Sequence, residues 1–239
     1  MSLENIKVIA FDADDTLWVN EPYYQDCEKA FCELLKDHLP PEEVSAELFK
    51  TEMRNLELYG FGAKAYILSM IETALNISDK SIVDEVIKEI ISFGKGLIEK
   101  PIELLDDIEP VLSKLKQSYK LILATKGDLL DQQRKLKKSG LNQMFDHIEI
   151  MSDKKEPDYI DLLRRLNVNP AAFLMVGNSI KSDIMPVLCV GGFAVYVPYH
   201  TTWEHEKFDI EIKHAHYFEI SKIAEILNIL PPIENTLNK

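Results

Sequence analysis

The chain has 239 residues, of which 46% are hydrophobic and 28% charged, and it carries a formal net charge of −13. These values describe a folded globular protein, long enough for one large domain or for a core with a smaller insert, and they exclude a disordered or membrane-embedded chain. The acidic balance repels nucleic-acid phosphates and anionic lipid heads, so neither nucleic acid nor membrane is expected as a partner, and a phosphorylated ligand has to find its positive charge locally.

The first apolar run, Val8–Phe11, is four residues long and stops at Asp12. It is too short for a secretory leader, and no run approaches the roughly 18 residues that cross a bilayer. Three cysteines, Cys27, Cys32 and Cys189, form no C-x-x-C pair. Reduced thiols and a cytoplasmic location are the expectation. From Glu21 to Lys100 the pattern is helical. Tyr23, Tyr24, Cys27, Ala30, Phe31, Leu34 and Leu35 recur at helical spacing, as do Ile82, Val83, Val86, Ile87, Ile90 and Ile91. Pro41 and Ser78 stand where helix starts are expected. Four more short apolar runs follow: Leu121–Ala124, Ile148–Met151, Phe173–Val176 and Phe193–Val197. Between several of them lie helical patterns over Ile108–Tyr119, Leu129–Ser139 and Tyr159–Leu166, and a last helix is expected over Ile220–Leu230, ended by Pro231 and Pro232. Short continuous apolar runs alternating with helices predict an α/β fold with a doubly wound parallel sheet covered on both faces. The helical stretch is an insert after the first strand. The predicted domains are 1–18 with 101–239 for the core and 19–100 for the insert.

In such a sheet ligands bind beyond the carboxyl ends of the strands. After the first run stands Asp12-Ala13-Asp14-Asp15-Thr16; after the second, Thr125-Lys126-Gly127; after the third, Ser152-Asp153-Lys154-Lys155; after the fourth, Gly177-Asn178-Ser179, with Asp183 soon after. Loops are polar everywhere, which accounts for one or two of these clusters but not for acids, a threonine and a lysine in this order.

That order resembles the four motifs of the haloacid dehalogenase-like (HAD) hydrolases: Asp12-x-Asp14-x-Thr16, then Thr125, then Lys154, then Gly177-Asn178-Ser179 with Asp183. Position 155 lacks the proline common after the motif lysine, which leaves Lys155 as an alternative to Lys154, and Asn178 stands where many relatives have Asp. The resemblance implies a Rossmann-like core with a helical cap and a phosphohydrolase that acts on a small-molecule phosphate monoester with Mg²⁺. It implies Asp12 as nucleophile and Asp14 as acid and base, with Thr125 and Lys154 completing the catalytic set. Ala13, Asp14, Thr125, Lys126 and Lys154 are then the substrate-binding residues. The Asp12 carboxylate, the Asp14 backbone carbonyl and Asp183 are the implied oxygen ligands of the metal. Three rival readings stand beside it. A 2-haloacid dehalogenase attacks carbon and needs neither an acid for halide nor magnesium. A phospho-accepting receiver carries its aspartate after the third strand, and the last rival is an inactive binding protein of the same fold.

Two other patterns are set aside. Gly60-Phe61-Gly62-Ala63-Lys64-Ala65 matches a loose dinucleotide fingerprint, but helix rather than strand precedes it. It reads as a turn between helices, with a loop facing the substrate and a plain connection as the two alternatives. His200, Trp203, His205 and Glu206 follow the fifth run without helical metal-ligand spacing and read as a structural loop.

Overall fold

The computed structural model describes residues 3–78, 84–208 and 211–231. All five apolar runs are strands: β1 (Val8–Phe11), β2 (Lys120–Lys126), β3 (His147–Met151), β4 (Phe173–Gly177) and β5 (Phe193–Tyr196). A sixth, β6 (Tyr217–Glu219), follows them. They pair in the order β3-β2-β1-β4-β5-β6, every pair parallel. Alternate residues face opposite sides. Ile9, Phe11, Leu123 and Val176 pack with Ile108, Val111 and Leu112 of α5 (Ile108–Leu115). On the other side Val8, Ala10, Ile122 and Met175 pack with Tyr159 and Leu162 of α7 (Glu156–Leu166) and Val187 of α8 (Met185–Cys189). Both faces of the inner strands are covered, which is why β1, β2, β4 and β5 hold continuous apolar runs, whereas the edge strand β3 carries Glu149 among its apolar residues.

The chain winds outward in both directions from the β1/β4 pair, so the topological switch point lies there. The backbone N–H of Asp12 extends the pairing by donating to the Val176 carbonyl at 2.9 Å. The first residues beyond β1 and β4 are thereby brought side by side.

The structure resolves into two compact units. One holds the chain up to Val19, Ile102–Lys126 and everything from Lys135 onward; the other holds Asn20–Pro101 and Gly127–Arg134. The strand-and-helix alternation alone assigns Gly127–Arg134 to the sheet. Asp128 accounts for the difference: its carboxylate receives the Lys64 ammonium at 2.9 and 3.0 Å. The second unit is built on α1 (Glu21–Leu34), α2 (Pro41–Tyr59), α3 (Ala63–Ile77) and α4 (Asp84–Glu99), around Phe31, Leu35, Leu48, Met70 and Ile90. Helix α2 starts at Pro41 as expected. Ser78 does not start a helix: it follows α3, and its Oγ donates to the Ala74 carbonyl at 2.8 Å. The Ala74 carbonyl also accepts the Ser78 N–H at 3.1 Å, so the residue closes the last turn with both its backbone and its hydroxyl. Ile82 and Val83 lie outside the described residues.

Three boundaries move. Helix α5 ends at Leu115, and the turn after it closes on the Leu115 carbonyl. Helix α7 begins at Glu156 rather than Tyr159. Pro157 suits its first turn, and the Asp158 carboxylate accepts the Lys155 N–H at 2.8 Å. At the C-terminus Ile220 is claimed by the sheet, its N–H donating to the Tyr196 carbonyl at 3.0 Å. The expected last helix is therefore shortened to one 3₁₀ turn, Ile223–Glu225, and α9 (Ile226–Ile229). Pro232 lies outside the described residues. Helix α6 (Leu129–Ser139) keeps its expected bounds.

Candidate active site

The site belongs to the sheet-bearing unit. Asp12 leaves β1 into a tight turn in which the Ala13 carbonyl accepts the Leu17 N–H at 2.8 Å, and Asp15 adopts a left-handed φ of 60°. The turn folds Thr16 back under Asp12: its Oγ1 lies 3.3 Å from Asp12 Oδ2 and 3.1 Å from Asn178 Oδ1. The Lys154 ammonium bonds Asp12 Oδ1 and, at 2.7 Å, Asp183 Oδ1. Asp183 lies in a single π-helical turn, Ile180–Ile184, ahead of α8. It is more than an acid at a helix start, because its Oδ2 accepts the Ser179 N–H at 3.0 Å while Oδ1 takes Lys154. Gly177 makes this possible. A Cβ there would stand 2.2 Å from Asp183 Oδ2.

Asp12, Lys154 and Asp183 thus form one buried cluster of two carboxylates on one ammonium. Burial pushes the Asp12 carboxyl up, the Lys154 charge pulls it back, and Asp183 pushes it up again, leaving it at about 7. Burial alone would lower the Lys154 ammonium, but Asp12 and Asp183 outweigh that and raise it. The lysine stays charged and faces two carboxyl groups at once. Lys155 takes no part in this cluster: its side chain is 75% exposed and pairs with Asp153 at 2.8 Å.

The Asp14 side chain sits beside this cluster on the same turn. Its Oδ1 accepts Trp18 Nε1 at 2.7 Å, and the Lys135 ammonium lies 2.9 and 3.0 Å from its two oxygens. Thr125 is fully buried at the carboxyl end of β2, the strand beside β1. The next residue, Lys126, reaches toward β4: its ammonium bonds the Glu206 carboxylate and, at 2.8 Å, Ser182 Oγ.

A family model of haloacid dehalogenase-like hydrolases matches residues 6–191. The chain belongs to that family. A haloacid dehalogenase-like hydrolase from Xanthomonas campestris superposes with a TM-score of 0.84 at 32% identity, over 93% of this chain and 89% of its own. A glyceraldehyde 3-phosphate phosphatase of Pyrococcus furiosus is 25% identical over 95% of this chain and 94% of its own length. N-acylneuraminate-9-phosphatase of Mus musculus is 27% identical over 139 residues, which span 55% of this chain and about half (53%) of that protein.

In this HAD chain the donors around Asp12 suit a hard cation. Asp12, Asp183 and Asn178 offer oxygen only, and the two carboxylates exceed the one ammonium between them. Among the described residues no three His, Cys, Asp or Glu side chains converge as a metal site. The expected set needs only two side-chain carboxylates, its third ligand being the Asp14 carbonyl. Thr16, Lys135 and Glu206 are the residues that strand-end reading passed over. Thr16 was visible in the first motif, but its partner Asn178 is 162 positions away. Lys135 lies in a helix of mostly polar residues, where a lysine reads as solvated. Glu206 belongs to the loop set aside as structural, with its partners 80, 27 and 24 positions distant.

Proposed function

We propose that this HAD hydrolase is a magnesium-dependent phosphohydrolase that cleaves phosphate monoesters of small molecules through a phosphorylated Asp12. The observation that carries the reading is the Asp12 carboxylate, held at the switch point by Lys154 and Thr16 with the Asp14 carboxylate two residues on. Asp12 attacks phosphorus; the bond from phosphorus to the ester oxygen breaks, and Asp14 gives that oxygen a proton. Water then attacks the acyl phosphate while Asp14 takes the water's proton, and Asp12 is released. Trp18 and Lys135 keep Asp14 oriented through both steps, while Lys154 stabilises the charge that gathers around Asp12. Thr125 donates to a phosphoryl oxygen, and Ala13 and Lys126 complete the phosphate's surroundings. Asp12, Asp183 and the Asp14 carbonyl would hold Mg²⁺, which supplies charge neutralisation so that one anion can approach another.

Similarity to phosphatases named for glyceraldehyde 3-phosphate and N-acylneuraminate 9-phosphate supports a small phosphorylated substrate. A haloacid dehalogenase would have no use for an acid at Asp14, which favours the phosphatase reading. In this reading the helical unit is the cap that selects among substrates. Turnover of an aryl phosphate tests it. Mg²⁺ should support hydrolysis, chelator should stop it, and Asp12→Asn should be folded but inactive. Undiminished turnover in chelator, or in Asp12→Asn, would overturn it.

A further inference from the structure

The loop after β5 carries a carboxylate that is tied into the site from outside the four motifs. Glu206 is only 10% exposed at its side chain. Its Oε1 takes the Lys126 ammonium, and its Oε2 takes Ser179 Oγ and, at 2.8 Å, Ser182 Oγ. Lys126 closes the ring by donating to Ser182 Oγ at 2.8 Å. Both serines belong to the turn that presents Asp183. Ser179 donates its backbone N–H to Asp183 Oδ2, and its own Oγ accepts the Ser182 N–H at 3.0 Å. One carboxylate thus holds the residue after Thr125 and the turn that aims Asp183. The chain of bonds from Glu206 to Ser179, Asp183, Lys154 and Asp12 is continuous.

We propose that Glu206 is a positioning residue of this hydrolase: it fixes Lys126 and the Ser179–Asp183 turn so that Asp183 is aimed at the cation and Lys126 at the phosphate. The inference rests on the magnesium-dependent reading above. Its physical basis is that Ser179 and Ser182 are buried, and Lys126 nearly so. Without an anion at this point three donors would lose their shared acceptor, and each would settle where its next partner lies. Glu204 on the same 3₁₀ turn is a built-in contrast: it pairs with Lys207 at 2.6 Å, with 62% of its side chain exposed.

A loop latch and a positioning residue are separable by experiment. A latch lowers the melting temperature alone, whereas a positioning residue also changes how the folded protein binds its ligands. Purified wild type, Glu206→Gln, Ser182→Ala and Glu204→Gln are titrated with Mg²⁺ by calorimetry, melted, and assayed for KM and kcat on an aryl phosphate. Glu206→Gln should bind Mg²⁺ about tenfold or more weakly and raise KM, in line with supporting residues around metal ligands. Ser182→Ala should move both in the same direction by less, and Glu204→Gln should match wild type. If Glu206→Gln does not fold, Ser182→Ala decides alone. Unchanged Mg²⁺ affinity and KM in the folded variants would overturn the inference and leave a latch, as would an equal loss in Glu204→Gln. Absence of Mg²⁺ binding in wild type would instead overturn the metal-dependent reading itself, and this inference with it.

Discussion

Two carboxylates buried on one ammonium make Lys154 the residue on which the site's stability turns. Its neighbour Lys155 is chemically identical and 75% exposed against 1% for Lys154 at the side chain. The sequence offered both as candidates, because adjacent lysines after a strand differ only in which way the backbone turns them. Removing one partner of a buried ion pair typically costs about 3–5 kcal/mol, since the remaining charges lose their compensation. Lys154→Met should therefore melt well below wild type. Added Mg²⁺ should restore part of the loss, because a ligand that binds only the folded form stabilises it. Lys155→Met should stay within about 0.5 kcal/mol of wild type, as exposed substitutions do. Melting curves of both variants with and without MgCl₂ check this; equal melting of Lys154→Met and wild type would mean that the ammonium is not what holds the two acids. The sequence offers Asp12, Asp14, Lys154 and Asp183 as candidates because each follows a strand at short range, and Thr125 because it stands at the end of one. It does not offer Glu206 and Lys135, because their contacts are with partners that only the folded chain brings near.

At the scale of elements, a strand declared itself wherever it held an apolar run of about four residues, most clearly where it is covered on both faces. The inner strands β1, β2, β4 and β5 carry almost wholly buried apolar runs, and β3 at one edge still shows Ile148, Ile150 and Met151 around Glu149, whereas β6 at the other edge is three residues with Tyr217 and Phe218 half-buried and Glu219 exposed. An edge strand this short has neither the length nor the apolar run that marks its neighbours, and Ile220 beyond it looked like the start of a helix. The helix ends moved for similar reasons, because caps such as Asp158 on the Lys155 N–H and Ser78 on the Ala74 carbonyl shift a boundary by a few positions. The end of β4 shows what an element can require of one residue. At Gly177 a Cβ would meet not only the Asp183 carboxylate but its Cβ, at 2.6 Å, and Asp183 is held by Lys154 and Ser179. Gly177→Ala should displace Asp183, cost on the order of 1–3 kcal/mol as overpacked cores do, and weaken Mg²⁺ binding. A Cβ added at Gly96 in α4 would meet nothing within 4 Å, so Gly96→Ala should act in the opposite sense. It should raise stability by up to about 1 kcal/mol through helix propensity. Calorimetric melts of the two variants give the signs. A Gly177→Ala protein with wild-type stability and Mg²⁺ affinity would show that the turn has room that the geometry denies it.

For the molecule as a whole, one pH-dependent contribution to stability is expected from Glu52 in the helical unit, separate from that of the raised Asp12 carboxyl. Burial first, and then the charge of Glu28, push the Glu52 carboxyl up to about 8 from an ordinary 4.5. Glu28 is held in place by the Ser45 hydroxyl at 2.5 Å. The Tyr66 hydroxyl, whose ionisation Glu52 also opposes after burial, is buried without a hydrogen-bond partner among the described residues. The folded chain therefore holds the Glu52 proton more tightly than the unfolded chain does. Its contribution is fully present below about pH 4.5, is lost progressively as pH rises toward 8, and is constant above that. Glu52→Gln keeps the shape and removes the titration. Its melting temperature should gain on that of wild type between pH 5 and pH 9, with the difference opening across that window and flattening above pH 8. The slope cannot exceed about 1.4 kcal/mol per pH unit for one group. Because two compact units need not melt together, the measurement is best made by scanning calorimetry, in which a component assigned to the helical unit should carry the shift. If wild type and Glu52→Gln differ by the same amount at pH 5 and pH 9, Glu52 titrates as a solvated carboxylate and is not a source of the pH dependence.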